Sequence, residues 1–320
     1  LDRVALLAVA HPAGTEVYPD EGLTVPPKPH RLLAVADVRP VPQATDDDGR
    51  NVAAALAAVD RTYVDGFPVL PLRGYAAEHA IVLDLSDLPD GHSTLLLTGW
   101  TDYAFSSDNV AASQAGFVQV PPAVQVQAPD GTWQTVVQDI GFPVGRPQTI
   151  VVEMAGRWLS ASRLVRVPTT MRVYWDRAAV GRPAGDAAFE AAPADLTRSD
   201  LRWRGYSAEV TPDGREPMGY DYARVSWRAP WKLFTGRYTG EGDVSTLLED
   251  ADDRFVVSRP GDEIALQFSA ARLPSLPAGW ERTFLLRADG FSKELDINSA
   301  GPHEVLPLPY HGMRSYPYEP

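Results

Sequence analysis

Residues 129–176 read PDGTWQTVVQDIGFPVGRPQTIVVEMAGRWLSASRLVRVPTTMRVYWD. Four short apolar runs lie in this stretch, Trp133–Val137, Thr149–Met154, Leu164–Val167 and Met171–Trp175. All are rich in β-branched residues. Turn signals separate them: Asp130-Gly131, the segment from Gly141 to Pro147, and Val167-Pro168. Short runs of this kind between turns are the pattern of strands in a β-sandwich. From Phe117 onward the expected strands recur every ~8–12 residues, the spacing of a sandwich or jelly roll.

Outward from this stretch the same grammar continues. Upstream, Leu1–Val9, Arg31–Val38, Tyr63–Leu72, Ala80–Leu85 and Thr94–Thr98 read as extended, and TLLLT at 94–98 reads as buried on both faces. The alanine-rich run Asn51–Asp60 is the best helix candidate, with Asp48 or Asn51 as its N-cap. Downstream, strands are expected at Leu201–Glu209, Tyr222–Trp227, Phe255–Val257, Glu263–Phe268 and Arg282–Arg287. The small, polar segment Ala178–Ser199 reads as a surface excursion or interdomain connection. The expected organisation is mainly β, with one or two short helices. A sandwich or jelly-roll module, similar to the galactose-binding type, spans 1–180 with an N-terminal extension, and a second β-rich module spans 200–320.

Composition bounds the function. The 320 residues are 44% hydrophobic, enough for a substantial core, and carry a net charge of -13. That charge opposes contact with nucleic acid or an anionic membrane surface, and no apolar run is long enough to span a bilayer. Cysteine is absent, which removes disulfides, zinc-thiolate sites and a cysteine nucleophile. GxSxG, SxxK and glycine-rich phosphate loops are absent as well. The chain opens on Leu1, inside an apolar run, and reads as an excised C-terminal part of something longer.

Three kinds of residue remain as candidates for binding. Carboxylate-rich loops suit hard cations, calcium above all. Glu294, Asp296 and Asn298 set oxygen side chains at alternate positions and form the metal candidate, against the reading of a polar strand edge. Asp46, Asp47 and Asp48 faintly resemble an EF-hand, but Ala44 and Ala55 occupy the first and twelfth ligand positions. A solvated turn capping the next helix is the favoured reading of that loop, and Glu249, Asp250, Asp252 and Asp253 most resemble a solvated turn as well. The six histidines lack HExxH or HxH spacing, and His311 with Met313 is a single soft-ligand pair. Aromatic residues are the most suggestive. Trp203, Tyr206, Tyr220, Tyr222, Trp227, Trp231 and Phe234 interleave with Arg202, Arg204, Arg224 and Arg228. Such rings either stack on sugar faces, with Trp203, Trp227, Trp231 and Arg228 as ligand contacts, or form core with arginine at its rim.

Several phrases carry a family likeness. LLLTGWTDYAFSSDN at 95–109, GFVQVPPAVQVQAPDGTWQTVVQDIGFPVGRPQTIVVEM at 116–154 and MRVYWD at 171–176 are joined by GRYTGEGDVSTLLEDADDRF, PGDEIALQF, LPAGWERTFLL and VLPLPYHGMRSYPY further on. Together they resemble the region after the FG-GAP repeats in bacterial secreted proteins of the ASPIC/UnbV type, related to cartilage acidic protein. The resemblance implies an extracellular or envelope-associated, non-catalytic module attached to an upstream β-propeller, whose calcium loops ATDDDG at 44–49 would echo. It carries over no catalytic residue. The expected function is therefore a binding module for a glycan or a protein, with calcium as the cofactor its loops would take. The alternatives are a carboxylate-based or metal-assisted glycan hydrolase and a purely structural C-terminal domain.

Overall fold

The computed structural model describes residues 1–89, 91–211, 214–228 and 232–316. The first strands are β1 (Arg3–Pro12), β2 (Thr15–Pro19), β3 (Leu32–Pro40), β4 (Gln43–Asp46), β5 (Tyr75–Asp84) and β6 (Thr94–Thr101). Helix α1 (Ser106–Gln114) precedes β7 (Val124–Gln127), β8 (Trp133–Val137), β9 (Gln148–Glu153), β10 (Leu164–Met171) and β11 (Val173–Pro183). The remaining strands are β12 (Glu190–Trp203), β13 (Tyr206–Val210), β14 (Gly219–Ser226), β15 (Gly242–Asp243), β16 (Asp262–Ser269) and β17 (Trp280–Asp289). The protein is mainly β, as its alternation predicts.

The chain divides into two compact units, His11–Phe189 and Leu1–Ala10 with Glu190–Pro320. In the first, two five-stranded antiparallel sheets, in the orders β4-β5-β10-β7-β8 and β2-β3-β11-β6-β9, enclose one apolar core. Ile81, Leu83, Val124, Val126, Val165 and Val167 enter it from one sheet, and Leu95, Leu97, Ile150, Val152, Val173 and Trp175 from the other. Strand β6 is buried along its whole length. Leu95 and Leu97 join the main core while Leu96 packs with Val35 and Ala179, so the run TLLLT is apolar on both faces for a structural reason. Each such leucine contributes about 1.5–3 kcal/mol by leaving water. Gly99 belongs in this strand because a Cβ there would lie 2.7 Å from the Tyr174 carbonyl oxygen and 2.8 Å from the Trp175 ring.

Pro168 stands inside β10 instead of ending it. Proline has no N–H for the ladder. Pro168 still stands opposite Ala80 in the ladder with β5, but pairing of β10 with β7 covers only Val165 and Arg166, so the missing donor falls on the side where the β7 ladder has already stopped.

The expected helix at Asn51–Asp60 is a series of turns. Leu56 is fully buried in the core, its carbonyl accepts a hydrogen bond from Ala178 N–H at 2.9 Å, and Ala57 bridges to Arg177. The segment satisfies β11 where pairing with β3 ends, and this long-range bonding overrides local helix propensity. The helix lies instead at Ser106–Gln114, capped by Asp108, which accepts from Phe105 N–H at 3.0 Å. Tyr63–Leu72 makes only isolated bridges at Val64 and Val69, and Phe255–Val257 is not a strand although Val256 is core.

In the second unit β12 pairs with both β1 and β16, and the sheet runs β15-β12-β1-β17. The stretch Ala178–Ser199, expected as a surface excursion or connection, holds the end of β11, the break between the units and the first residues of β12. Because β1 pairs with β12, the first ten residues group with the C-terminal half, and the break falls after Phe189. The core here is small: Val4, Leu201, Val244, Leu248 and Val256, flanked by half-buried Leu196, Leu266 and Phe268.

Candidate binding surface

Strands β13 and β14 form a separate two-stranded ribbon. Gly205 makes the corner from β12 into it. Its φ of +97° is left-handed, and a Cβ would lie 2.5 Å from Val225 Cγ1. Arg204 and Gly205 both donate backbone hydrogen bonds to the Gly261 carbonyl at 2.9 Å, which fixes the corner to the turn before β16.

The aromatic residues divide into anchors and a display. Trp203 is half-buried, packs edge-on to Tyr206 with centroids 5.4 Å apart, and has the Arg259 guanidinium 4.9 Å from its ring centre. The same indole lies against Gly261, where a Cβ would meet it at 2.6 Å. Trp203 is therefore a packing residue of the corner. Tyr220, Tyr222 and Trp227, by contrast, are 54%, 66% and 71% exposed. Tyr220 and Tyr222 share one side of β14, with ring centres 6.4 Å apart. Arg204 stiffens the display: its guanidinium lies 5.7 Å from the Tyr222 ring centre and donates to the Ser207 hydroxyl at 2.9 Å and to the Tyr222 carbonyl. Arg228 is exposed beside Trp227, its N–H bonded to the Ser226 hydroxyl at 3.1 Å. Trp231 lies outside the described residues. Sequence reading grouped these rings, but which were display and which anchors depends on the corner at Gly205.

The carboxylates of the loop at residues 46–48 are paired with arginines. Asp46 accepts from Asp48 N–H and Arg50 N–H and pairs with Arg50 Nε at 2.6 Å. Against the upward push of partial burial, the Arg50 bonds hold its carboxyl below the ordinary value. Asp48 also faces Arg50, at 3.0 Å, and Asp47 faces Arg166 at 3.4 Å. These carboxylates border a pocket of about 150 Å³ whose apolar lining includes Ile81, Val167, Val173 and Trp175. His79 also lines it, stacked on Phe67 with centres 4.1 Å apart. Burial pushes its pKa down; Nδ1 lies 2.9 Å from the Ala77 carbonyl, and Nε2 is buried without a partner among the described residues. The pocket has no linear signature, since its lining comes from distant strands and turns. Glu294, Asp296 and Asn298 lie on a turn, where Asp296 Oδ1 accepts Asn298 N–H at 2.8 Å and the Asp296 carbonyl accepts from Ser299.

Comparison of the chain with protein-family models, with curated proteins and with solved structures gives no match.

Proposed function

We propose that this chain is a non-catalytic binding module of an extracellular or envelope protein, and that it engages a glycan through the β13–β14 ribbon. The exposure of Tyr220, Tyr222 and Trp227 on one small ribbon carries the reading. Water-facing rings of this size are unfavourable unless a ligand covers them, and arginine beside them supplies donors for hydroxyl groups. The resemblance of the wider sequence to modules that follow FG-GAP propellers supports the location and the absence of catalysis. A second reading, docking onto another protein domain such as the upstream propeller, is favoured by Phe284 and Leu286. They are 53% and 58% exposed on β17, a strand at the end of its sheet path.

Calorimetric titration of the whole chain with an oligosaccharide panel tests the first reading. A binding glycan should lose about tenfold in affinity with Trp227→Ala and with Tyr222→Ala while the melting temperature is retained. No binding across the panel, or binding indifferent to both substitutions, would move the ribbon into the protein-docking reading.

A further inference from the structure

His311, paired in the sequence with Met313, meets carboxylates in the fold. Its Nδ1 lies 2.9 Å from Asp253 Oδ1 and 3.4 Å from Asp2 Oδ2. Its Nε2 lies 3.6 Å from Asp289 Oδ1. One ligand atom from each of Asp2, Asp253 and His311 falls within 4.8 Å of the others. Three carboxylates therefore surround one imidazole, and no lysine or arginine forms an ion pair with any of them among the described residues. Even a protonated His311 leaves the group with excess negative charge.

Asp2 is the independent observation. Its side chain is fully buried, its Oδ2 faces His311 and accepts from Asp253 N–H, and its Oδ1 has no hydrogen-bond partner among the described residues. A buried carboxylate with an unpaired oxygen is unfavourable unless a cation compensates its charge. Asp253 cannot fill that oxygen, since its own N–H is already directed at Oδ2, at 3.2 Å.

We infer that Asp2, Asp253 and His311 bind a divalent transition cation, Zn²⁺ or Mn²⁺, with Asp289 orienting the imidazole. The separations of 2.9 and 3.4 Å are close to the edge of a tetrahedron with bonds of about 2.0–2.1 Å, which is roughly 3.3 Å. The metal sits on the Nδ1 side. Nε2–H then faces the Asp289 carboxylate 3.6 Å away, an electrostatic contact that favours this tautomer. An imidazole ligand selects against calcium, which takes oxygen donors alone. Three protein ligands leave a coordination position for water. The site is distinct from Glu294, Asp296 and Asn298, and sequence spacing hides it, because its ligands come from residues 2, 253 and 311.

The test is titration of the chelator-treated whole chain with Zn²⁺, Mn²⁺ and Ca²⁺ by calorimetry, with the visible absorption of the Co²⁺ form as a geometric readout. One Zn²⁺ or Mn²⁺ per chain is expected, with calcium weaker. His311→Ala and Asp253→Asn, both at partly exposed side chains, should each weaken uptake at least tenfold while the metal-free circular dichroism is unchanged. Asp289→Asn should weaken it about tenfold and alter the Co²⁺ spectrum. Should either ligand variant fail to fold, the Asp289→Asn result decides alone. No stoichiometric uptake by the unaltered chain, or uptake indifferent to these substitutions, would reduce the cluster to an imidazolium held by carboxylates and overturn the inference.

Discussion

The two units bury apolar surface very differently. Among the described residues, 11–189 gather twenty-two buried residues into one cluster between two sheets, whereas the cluster around Val4, Leu201 and Leu248 in the other unit holds five, with Val9, Tyr206 and Val305 buried apart from it. The second unit is not poorer in apolar side chains. It leaves them outside: Tyr222, Trp227, Phe284, Leu286 and Ile297 are all more than half exposed. The first unit exposes mainly valines of its loops, such as Val25 and Val118, whereas the second exposes aromatic rings and the strip Phe284 and Leu286 of β17. Burial is concentrated in the first unit, and the ribbon proposed for binding belongs to the second.

The sharpest way to break this comparison is a pair of truncations. Leu97→Ala, in the fully buried middle of β6, should destabilise the protein by about 2–5 kcal/mol through lost transfer energy and the cavity left behind. Phe284→Ala, on the exposed face of β17, should stay within about 0.5 kcal/mol. Urea unfolding followed by circular dichroism measures both. Equal losses would mean that the exposed strip of β17 is packed in solution and that the contrast is false.

A second contrast concerns carboxylates. Asp176, buried in β11, accepts from Arg61 N–H at 2.9 Å and Asp60 N–H at 3.3 Å, while its Oδ2 has no partner among the described residues. Burial raises its pKa above the ordinary value. The folded state therefore holds this proton more tightly than the unfolded state. Its stabilising share is complete below the unfolded pKa, about 3.9, and is lost as pH rises through the raised folded value. Asp243, at the surface of the other unit, has the opposite sign. Hydrogen bonds from the Ser245 hydroxyl and N–H lower its pKa, so its share is present above the unfolded pKa and lost as pH falls through the folded one. Melting temperatures from about pH 3 to pH 7 should show the native chain losing ground to Asp176→Asn as pH rises, and gaining on Asp243→Asn. A flat difference for Asp176→Asn would show that this carboxyl is hydrated.

Much of the sandwich was legible because burial leaves a local mark. Strands β6 and β9 follow directly from apolar runs bounded by turns, since two facing sheets demand that pattern, and β8 and the second unit's β16 are legible from similar runs although neither holds a fully buried residue. The helix at Ser106–Gln114 left almost no such mark: it buries only Ala112, so no apolar period announces it. Asn51–Asp60 failed for the converse reason. Its alanines favour helix, but the bond from Ala178 to Leu56 is made by a residue more than a hundred positions away. The ribbon's aromatic residues were visible as a group. Their separation into packed Trp203 and exposed Trp227 depends on how Gly205 and Gly261 meet, which no local pattern encodes.

The smallest effect tests how the ribbon is held. Arg202 and Glu263 face each other across β12 and β16, with Arg202 Nε 2.8 Å from Oε1. Glu263 has a second cation, Arg204, whose Nε lies 2.9 Å from Oε2. Removing Arg202 leaves the carboxylate paired and exposed to solvent, so Arg202→Ala should alter stability by less than about 0.5 kcal/mol and less still in high salt. Arg204→Ala should do more, about 1 kcal/mol, because Arg204 also bonds Ser207 and the Tyr222 carbonyl. It should also weaken binding at the ribbon, since Tyr222 loses the cation beside its ring. If Arg202→Ala proved the more damaging of the two, the ribbon would be held by the sheet beneath it and not by Arg204. Tyr222 would then lack the rigid frame that makes an exposed ring a selective contact.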